Sequence, residues 1–383
     1  MSTKKTLIPL KTLLFSFHAM NTIMISFLPL YLQYKGLNGT EIGWVLSVGP
    51  LASIFSQPFW GYMSDKYKTI KNMLLILIFG LLISSILFFQ MDGLLAILIM
   101  GGVLFFFSTP IGALSDSLAQ RRADDLHVSF GTIRTWGSVG FATSALVVGE
   151  LLSIIGIQYM VWPYIGLGTV VLIVIFRLQD VKVDSEPIKL QDVKQLIRNK
   201  PFLIFLLLMM FLTIGHRAND SFIGLYITEL GGSENLVGLA WFIGLVSEAL
   251  VFALAGKWFQ KFHPLVFVII AGILYSLRWF MYAGIDNPMY IIALQILHGL
   301  TFGVFYTTAF DYVTRLIPKL LQSTGHLIFY SVFFGISGII GSLIGGALLD
   351  MFGGQVLYMT IGCLSIAGTV LFSIYHIRSR RTY

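Results

Sequence analysis

The sequence has little charge and almost no cysteine. Asp, Glu, Lys and Arg make up 11% of the 383 residues, apolar residues make up 56%, and mean hydropathy is +0.84. A soluble domain of this length needs more charge to cover its exterior, so the composition excludes that class. Cys363 is the only cysteine, which excludes an intrachain disulfide and a cysteine-based metal motif.

Nucleotide-binding and catalytic motifs are also lacking. No G-x-x-x-x-G-K-[ST] phosphate loop occurs, and no polar segment is long enough for a nucleotide-binding or catalytic domain. We therefore do not expect ATP-driven pumping by this chain alone, and a gradient must drive any uphill work. The sequence has no nucleophile–base constellation typical of an enzyme, and His216 with His298 is too sparse a set for a metal site. We expect no enzymatic activity, no cofactor and no metal.

Long apolar stretches fill most of the chain. A helix needs roughly 20 mostly apolar residues to cross a hydrocarbon core of ~30 Å. On that basis the sequence predicts an all-α polytopic membrane protein with twelve spans, at approximately residues 11–34, 40–63, 71–91, 93–118, 130–155, 158–178, 200–229, 235–256, 264–284, 287–313, 324–349 and 354–377.

Basic residues are distributed unequally between the two sides of these spans. With the N-terminus inside, only Lys35 of the 25 Lys and Arg residues falls in an outer loop. This distribution follows the positive-inside rule. If one helix were miscounted, basic residues would fall on both sides of the membrane. The pattern predicts a multi-pass protein of the cell membrane with both termini cytoplasmic. The net charge of +7 then faces anionic headgroups, so membrane lipids, and not nucleic acid, are the expected partners.

An internal repeat divides the chain into two halves. At an offset of 195 residues, Phe27–Gly61 aligns without a gap with Phe222–Gly256. The sequence predicts an N-terminal six-helix bundle at 1–178, a cytoplasmic linker at 179–199 and a C-terminal six-helix bundle at 200–383. We expect a pseudo-two-fold relation between the bundles, with a cavity between them. Identical pairs at this offset include Tyr31/Tyr226, Gly36/Gly231, Gly43/Gly238, Gly49/Gly244, Gly61/Gly256 and Asp116/Asp311.

Polar residues lie deep in several predicted spans. A charge near the bilayer centre costs at least ~2.5–3.5 kcal/mol on insertion scales, so it usually faces a cavity or a partner. In the second half these residues are Glu248, Arg278, Gln295, His298 and, on one face of the seventh span, His216, Arg217 and Asp220. The first half has mostly neutral groups, His18, Asn21 and Gln57, with Asp116 and Arg134 nearer the inner ends.

The deep charges are not duplicated by the repeat. At the same offset Glu248 aligns with Ser53, Arg278 with Ile83 and His298 with Val103. This asymmetry favours proton coupling in the second half and much of the solute contact in the first. The predicted solute cavity includes His18, Asn21, Gln57, His216, Arg217, Asp220 and Gln295, with Tyr31, Trp136, Tyr226, Phe302 and Tyr306 as candidate walls.

Glu248, Arg278 and His298 form the smallest set that allows proton coupling. A carboxyl group in a low-dielectric cavity holds its proton more readily, and a nearby Arg favours its release. Histidine titrates near neutral pH or relays hydrogen bonds. Structural alternatives stay open. In these alternatives Glu248 and Arg278 form a static ion pair, and Asp220 pairs with His216 and Arg217 along its own helix. His298 and His18 are then packing residues.

Four stretches of the sequence resemble the major facilitator superfamily. Gly61-Tyr-Met-Ser-Asp65-Lys-Tyr-Lys68 is similar to its loop signature G-x-x-x-D-[RK]-x-[GK]-[RK], although Thr69, Ile70 and Lys71 replace the usual basic run. The other three resemble the lactose-permease-like branch, which includes phenylpropionate and nucleoside:proton symporters. They are Asp116 with Gly131-Thr-Ile-Arg134-Thr-Trp136-Gly-Ser-Val-Gly140-Phe, Glu248 with Leu277-Arg278-Trp279, and Gln295-Ile-Leu-His298-Gly299.

The resemblance implies roles for particular residues. It implies the major facilitator fold, proton coupling by Glu248, Arg278 and His298, and gating by the loop that carries Asp65. In this branch the lactose permease binds sugar with an acid–Arg pair on the fourth and fifth helices, a pattern that this sequence does not support for galactoside. Here Asp116 and Arg134 fall nearer the cytoplasmic ends, so we interpret Arg134 with Asp116 or Asp311 as a cytoplasmic gate.

These observations predict a monomeric secondary transporter that works by alternating access. We expect proton symport of a small polar or aromatic-polar solute, such as a sugar, a nucleoside or an aromatic acid. Proton antiport that exports drugs or amphipathic metabolites is the alternative within transport. A non-transporting membrane receptor is the alternative from another class.

Overall fold

The membrane spans that the structure describes are all helices. The computed structural model describes residues 3–180, 196, 198–258, 263–318 and 321–380. In order, the first nine long helices are α1 Thr3–Tyr34, α2 Gly39–Tyr67, α3 Lys71–Gln90, α4 Leu94–Asp125, α5 Phe130–Ile155, α6 Val161–Arg177, α7 Lys200–Glu229, α8 Glu234–Trp258 and α9 Pro264–Ala283.

The last three spans are less regular than the first nine. The tenth, α10 (Pro288–Leu316), contains a π-helical segment at Gly299–Gly303. The next apolar element, Thr324–Arg378, is 55 residues long and is broken at Gly353, where φ is 80°. We divide it there into α11 (324–352), which has a second π-helical segment at Ser331–Ile336, and α12 (354–378). With that element counted as two, the described residues contain twelve helices that are long and apolar enough to cross a membrane, in agreement with the sequence-based count.

The chain forms two compact units. One consists of residues 1–187 with 233–239, and the other of residues 188–232 with 240–383. In the first unit α1 packs mainly on α5 and α6, α2 packs on α4, and α3 packs on α4 and α6. In the second unit α7 and α9 both pack against the helices after Ser337, and α9 also packs on α10. Most of the predicted linker, residues 181–195 and 197, lies outside the described residues.

The predicted repeat has the same local structure in both copies where the first helix of each half ends. Gly36 and Gly231 have left-handed φ values of 86° and 85°, which glycine adopts without a Cβ penalty. In both copies the next amide closes the helix end, from Leu37 N to Leu32 O at 3.1 Å and from Gly232 N to Ile227 O at 2.8 Å. The glycine pair therefore fixes the same sharp turn twice.

The repeated tyrosines have a structural role. The Tyr31 hydroxyl donates to the Phe89 carbonyl oxygen at 2.8 Å, and the Tyr226 hydroxyl donates to the Tyr282 carbonyl oxygen at the same distance. Both acceptors belong to the last residues of the third helix in their half, where carbonyl groups lack helical partners. Because both tyrosine rings are buried, neither lines an open cavity, and the prediction that they are cavity walls is wrong.

The loop with the family signature joins α2 to α3 through a cap that the sequence analysis missed. Asp180 accepts hydrogen bonds from the Ile70 and Lys71 amides at 3.1 and 3.0 Å, and it also bonds the Thr69 hydroxyl. Lys71 Nζ in turn donates to the Leu178 carbonyl at 2.8 Å, just beyond the end of α6. Asp180, which follows α6, therefore caps the start of α3.

Candidate functional site

A fully buried arginine lies at the centre of the second unit. Arg278 on α9 is 0% exposed, and its guanidinium donates to four side chains. The acceptors are Tyr282 Oη (3.2 and 3.1 Å), Gln295 Oε1 (2.5 Å), Thr301 Oγ1 (3.1 Å) and His298 Nδ1 (3.5 Å). No carboxylate among the described residues forms an ion pair with it. Neutral acceptors and two aromatic rings therefore hold this cation, an arrangement that is costly unless every donor is used.

His298 on α10 connects this arginine to a carboxylate. Its Nδ1 accepts from Arg278, and its Nε2 lies 3.4 Å from Glu248 Oε2 on α8. An Nδ1 that accepts from a guanidinium carries no hydrogen, so the hydrogen of the neutral ring is on Nε2, the nitrogen nearer Glu248. His298 therefore lies between Glu248 and Arg278, with one ring nitrogen beside each.

A second carboxylate lies on α7. Asp220 Oδ2 is 2.9 Å from Arg217 Nη1 and 3.4 Å from His216 Nε2, at the i+3 and i+4 spacings of one helix. Asn219 donates to the same carboxylate at 3.5 Å and accepts from the Tyr358 hydroxyl on α12 at 3.1 Å. The helical pairing of Asp220 that the sequence left open is therefore present.

The two clusters meet at a small cavity. The His216 ring lies 5.6 Å from the His298 ring and stacks on Phe302 at 4.6 Å. Asp220, Gln295 and His298 line a cavity of about 10 Å³, which has room for about one water molecule. The cavity therefore borders side chains of both clusters.

Close backbone packing sets the distance between Glu248 and His298. A Cβ at Gly299 would collide with the Ser247 carbonyl oxygen, so α8 and α10 touch at this glycine. The Gly299 amide donates to Ser247 Oγ at 2.7 Å. The π-helical segment of α10 also begins at Gly299, one residue after His298. Such segments occur frequently at functional sites because they re-aim the side chains around them.

Two of the predicted gating residues pair in the first unit. Arg134 Nε on α5 lies 3.3 Å from Asp116 Oδ1 on α4. The His18 ring of α1 lies against the same part of α5, because a Cβ at Gly137 would meet both His18 and Arg134. α4 continues to Asp125 and not to about residue 118, so Asp116 is nine residues, or about 14 Å, from its end. Asp116 is thus further inside its helix than the sequence indicated.

The structure does not bring the remaining predicted residues into these clusters. Asp311 pairs with Arg315 on its own helix at 2.8 Å. Gln57 is exposed on α2 and donates to the Thr109 carbonyl at 3.5 Å. Asn21 is half-buried on α1, and Asp65 is half-buried in the last turn of α2.

Two ligands of Arg278 were missing from the sequence-based set. Tyr282 is four residues after Arg278, and Thr301 is three residues after His298. Both spacings place side chains on one helix face, so a search for polar partners at i+3 and i+4 of each buried charge would have found them.

Comparison with known proteins gives one family and a set of transporter relatives. A sequence model of the MFS_1 like family matches residues 7–360. The maltose permease of Geobacillus stearothermophilus is 29% identical, over 98% of this chain and 96% of that protein. The sucrose permease of Escherichia coli is 25% identical, over 91% of this chain and 88% of that protein.

A solved structure has the same fold. The crystal structure of the nucleoside transporter NupG superimposes with a TM-score of 0.88, over 96% of this chain and 98% of that one. Sequence identity is 17%, so this likeness concerns the fold.

Proposed function

The chain belongs to the MFS_1 like family of the major facilitator superfamily, and on that premise we propose that this membrane transporter is a proton symporter. The proposal assigns it the uptake of a small polar solute by alternating access. The observation that carries it is the buried chain of contacts from Glu248 through His298 to Arg278, which shares a cavity with Asp220. Protonatable groups at such depth in membrane spans are typical of proton pathways.

Glu248 is the proposed proton carrier. As a carboxylate, with Oε2 3.4 Å from His298 Nε2, it attracts the histidine ring, whose Nδ1 lies 3.5 Å from Arg278 Nη1. When Glu248 binds a proton, its attraction to His298 weakens and the ring is released. A solute hydroxyl group then replaces the lost contact, so that proton and solute bind together. Asp220, already paired with Arg217 and His216, serves as a solute contact.

Sugars are the proposed solute class. Two relatives that align over most of their length carry the names maltose permease and sucrose permease. Arg217, Asp220 and Gln295 supply the donors and acceptors that sugar hydroxyls need, and His18, Asn21 and Gln57 are proposed as contacts from the first unit. Nucleosides and aromatic acids are the other solutes to be tested.

The proposal includes a cell-membrane location, cytoplasmic termini, a monomeric state and no catalytic activity. The bundles at 1–178 and 200–383, joined by a linker at 179–199, are proposed as the moving parts. Asp65, Asp116, Arg134 and Asp311 are proposed as gating residues, and the Asp116–Arg134 pair at 3.3 Å supports part of that assignment.

Proton flux in sealed proteoliposomes tests the proposal. Maltose, sucrose, uridine and 3-phenylpropionate are added in turn to vesicles without an imposed gradient. A symporter that carries solute inward makes the outer medium alkaline, whereas an antiporter makes it acidic. Acidification would establish the export alternative, and solute binding without any flux would establish a receptor.

A further inference from the structure

A tyrosine of the last helix reaches the charged cluster on α7. Tyr358 belongs to α12, a helix that supplies none of the predicted site residues, and it is fully buried. Its hydroxyl donates to Asn219 Oδ1 at 3.1 Å. Asn219 is also buried, and its amide nitrogen donates to Asp220 Oδ1 at 3.5 Å. Two hydrogen bonds therefore connect α12 to the carboxylate.

The two oxygens of this carboxylate have different partners. Asp220 Oδ2 lies 2.9 Å from Arg217 Nη1 and 3.4 Å from His216 Nε2. The other oxygen, Oδ1, has the Asn219 amide beside it. With Arg217 on one oxygen and Asn219 on the other, the plane of the carboxylate is held in one orientation. Asn219 and Asp220 both border the small cavity, so this orientation decides how the carboxylate meets a group bound there.

Tyr358 is itself held in place by its neighbours. Its ring centre lies 4.8 Å from that of Tyr226 and 5.1 Å from that of Tyr282. One helical turn earlier, the Gly354 amide donates to the Glu229 carboxylate at 3.2 and 3.1 Å. A Cβ at Gly354 would collide with the Tyr226 ring, so the start of α12 lies directly on the end of α7. The Tyr358 hydroxyl therefore has a defined position relative to α7.

We propose that Tyr358 and Asn219 form a positioning pair for Asp220. The tyrosine hydroxyl occupies the amide oxygen of Asn219, and the amide nitrogen faces the carboxylate. Without that hydroxyl the amide oxygen is buried and unpaired, so the side chain turns toward another donor and Asp220 Oδ1 loses its partner. This inference rests on the proposed function, in which Asp220 contacts the solute. It adds two residues that set solute affinity by acting through Asp220.

A double-variant cycle on solute affinity tests the pair. KM and maximal rate are measured for uptake of labelled maltose into proteoliposomes that contain the full-length protein. Tyr358→Phe keeps the ring and should raise KM about fivefold, the usual weight of one hydrogen bond, while the maximal rate changes little. Asn219→Ala should raise KM to a similar extent. Because both changes act through one chain of bonds, the double variant should also show about a fivefold rise, whereas independent effects would multiply to about 25-fold.

Tyr226→Phe is the matched control. It also removes a buried hydroxyl from the same group of rings, but that hydroxyl donates to the Tyr282 carbonyl oxygen at the end of α9. Its KM should equal that of the wild-type protein. An unchanged KM in Tyr358→Phe or in Asn219→Ala overturns the positioning pair. A multiplied rise in the double variant, or an equal rise in Tyr226→Phe, overturns it as well.

Failure of this inference and failure of the proposed function give different results. Proton-coupled uptake with an unchanged KM in Tyr358→Phe removes only the positioning pair, and uptake with the expected KM changes but without proton movement removes only symport. If the wild-type protein takes up none of maltose, sucrose, uridine and 3-phenylpropionate, the proposed function fails. Thermal unfolding of the same four proteins then tests the pair. Additive shifts in unfolding temperature overturn it, and a double variant that shifts less than the sum supports it.

Discussion

The two six-helix halves have the same local structure at some of their helix ends and differ in the residues in the middle of their spans. The turn at Gly36 recurs at Gly231, and the tyrosine hydroxyl bond of Tyr31 recurs at Tyr226. Deep in the spans, the second half has the Glu248–His298–Arg278 contacts, where the first half has Ser53, Val103 and Ile83.

The two halves also differ in the regularity of their helices, and the second half is the less regular one. Among the described residues, two π-helical segments interrupt long helices, and both are in the second half, one in α10 and one in α11. One begins beside His298, and the other carries Phe333 and Phe334 of the aromatic cluster around Tyr306. Positions that the repeat preserves stabilise helix ends, whereas positions that break it hold charge and irregular backbone. Candidate functional residues are therefore found at the aligned positions where the two halves differ.

Glu248→Gln should have the largest effect on transport. A glutamine keeps the shape and an oxygen beside His298 but cannot bind and release a proton. Uphill accumulation should be abolished, while solute counterflow, which needs no net proton movement, should continue. Both are measured as labelled solute uptake into proteoliposomes, with and without a pH gradient.

Ser53→Ala is the control at the repeated position in the first half, where the hydroxyl donates within its own helix, to Pro50 O at 2.7 Å. It should accumulate solute normally. Normal accumulation by Glu248→Gln would contradict the assignment and make Asp220 the next candidate.

Arg278→Lys should lower stability and uncouple transport. Lysine keeps the charge but has three donors on one atom and cannot reach acceptors on both sides as the planar guanidinium does. Each acceptor left unpaired costs roughly 1–3 kcal/mol. Thermal unfolding in detergent measures this loss. Arg315→Lys, in an exposed pair with Asp311, should change stability by less than about 1 kcal/mol.

An unfolding temperature for Arg278→Lys equal to that of Arg315→Lys would show that the buried donors are not needed. The difference between the halves would then be one of sequence without energetic consequence.

The sequence was sufficient for the span count and for the central residues of the site. Apolar length and the lysine–arginine bias determine the crossings, because the bilayer imposes both on the chain. Glu248, Arg278 and His298 stood out because their charge is expensive at that depth. Their order of contact did not follow from sequence. The alternative of a direct Glu248–Arg278 ion pair is absent from the described ion pairs, and His298 lies between the two residues.

Contacts that depend on helix rotation and on helix length were beyond sequence reasoning. α4 continues past its apolar stretch to Asp125, because the polar residues after 118 are still good helix formers. Tyr31 and Tyr226 looked like cavity walls because aromatic rings are ambiguous in a membrane span, where core, lipid and cavity all accept them. Their hydroxyl acceptors come from residues 58 and 56 positions away, which no local pattern indicates.

Gly299→Ala should disturb the site by a smaller amount than loss of its charges. The new methyl group collides with the Ser247 carbonyl and lies within 2.9 Å of the Glu248 amide, so α8 and α10 must separate. We expect about 1–3 kcal/mol of destabilisation and weaker coupling, measured by thermal unfolding and by uptake. Gly335→Ala, where a Cβ would meet nothing within 4 Å, should be nearly neutral. Equal effects of the two variants would show that helix contact at Gly299 does not position Glu248.

Tyr31→Phe and Tyr226→Phe test the shared part of the two halves and should have the smallest effects. Each removes one hydroxyl donor from a helix-end carbonyl, 2.8 Å away in both cases, which costs about 1 kcal/mol. Because the two bonds are far apart in sequence and share no partner, the double variant should lose the sum. Uptake should be unchanged in all three proteins. A loss confined to Tyr226→Phe would mean that this bond acts on α9, which carries both Tyr282 and Arg278, and that the repeat is functionally unequal even where its geometry is the same.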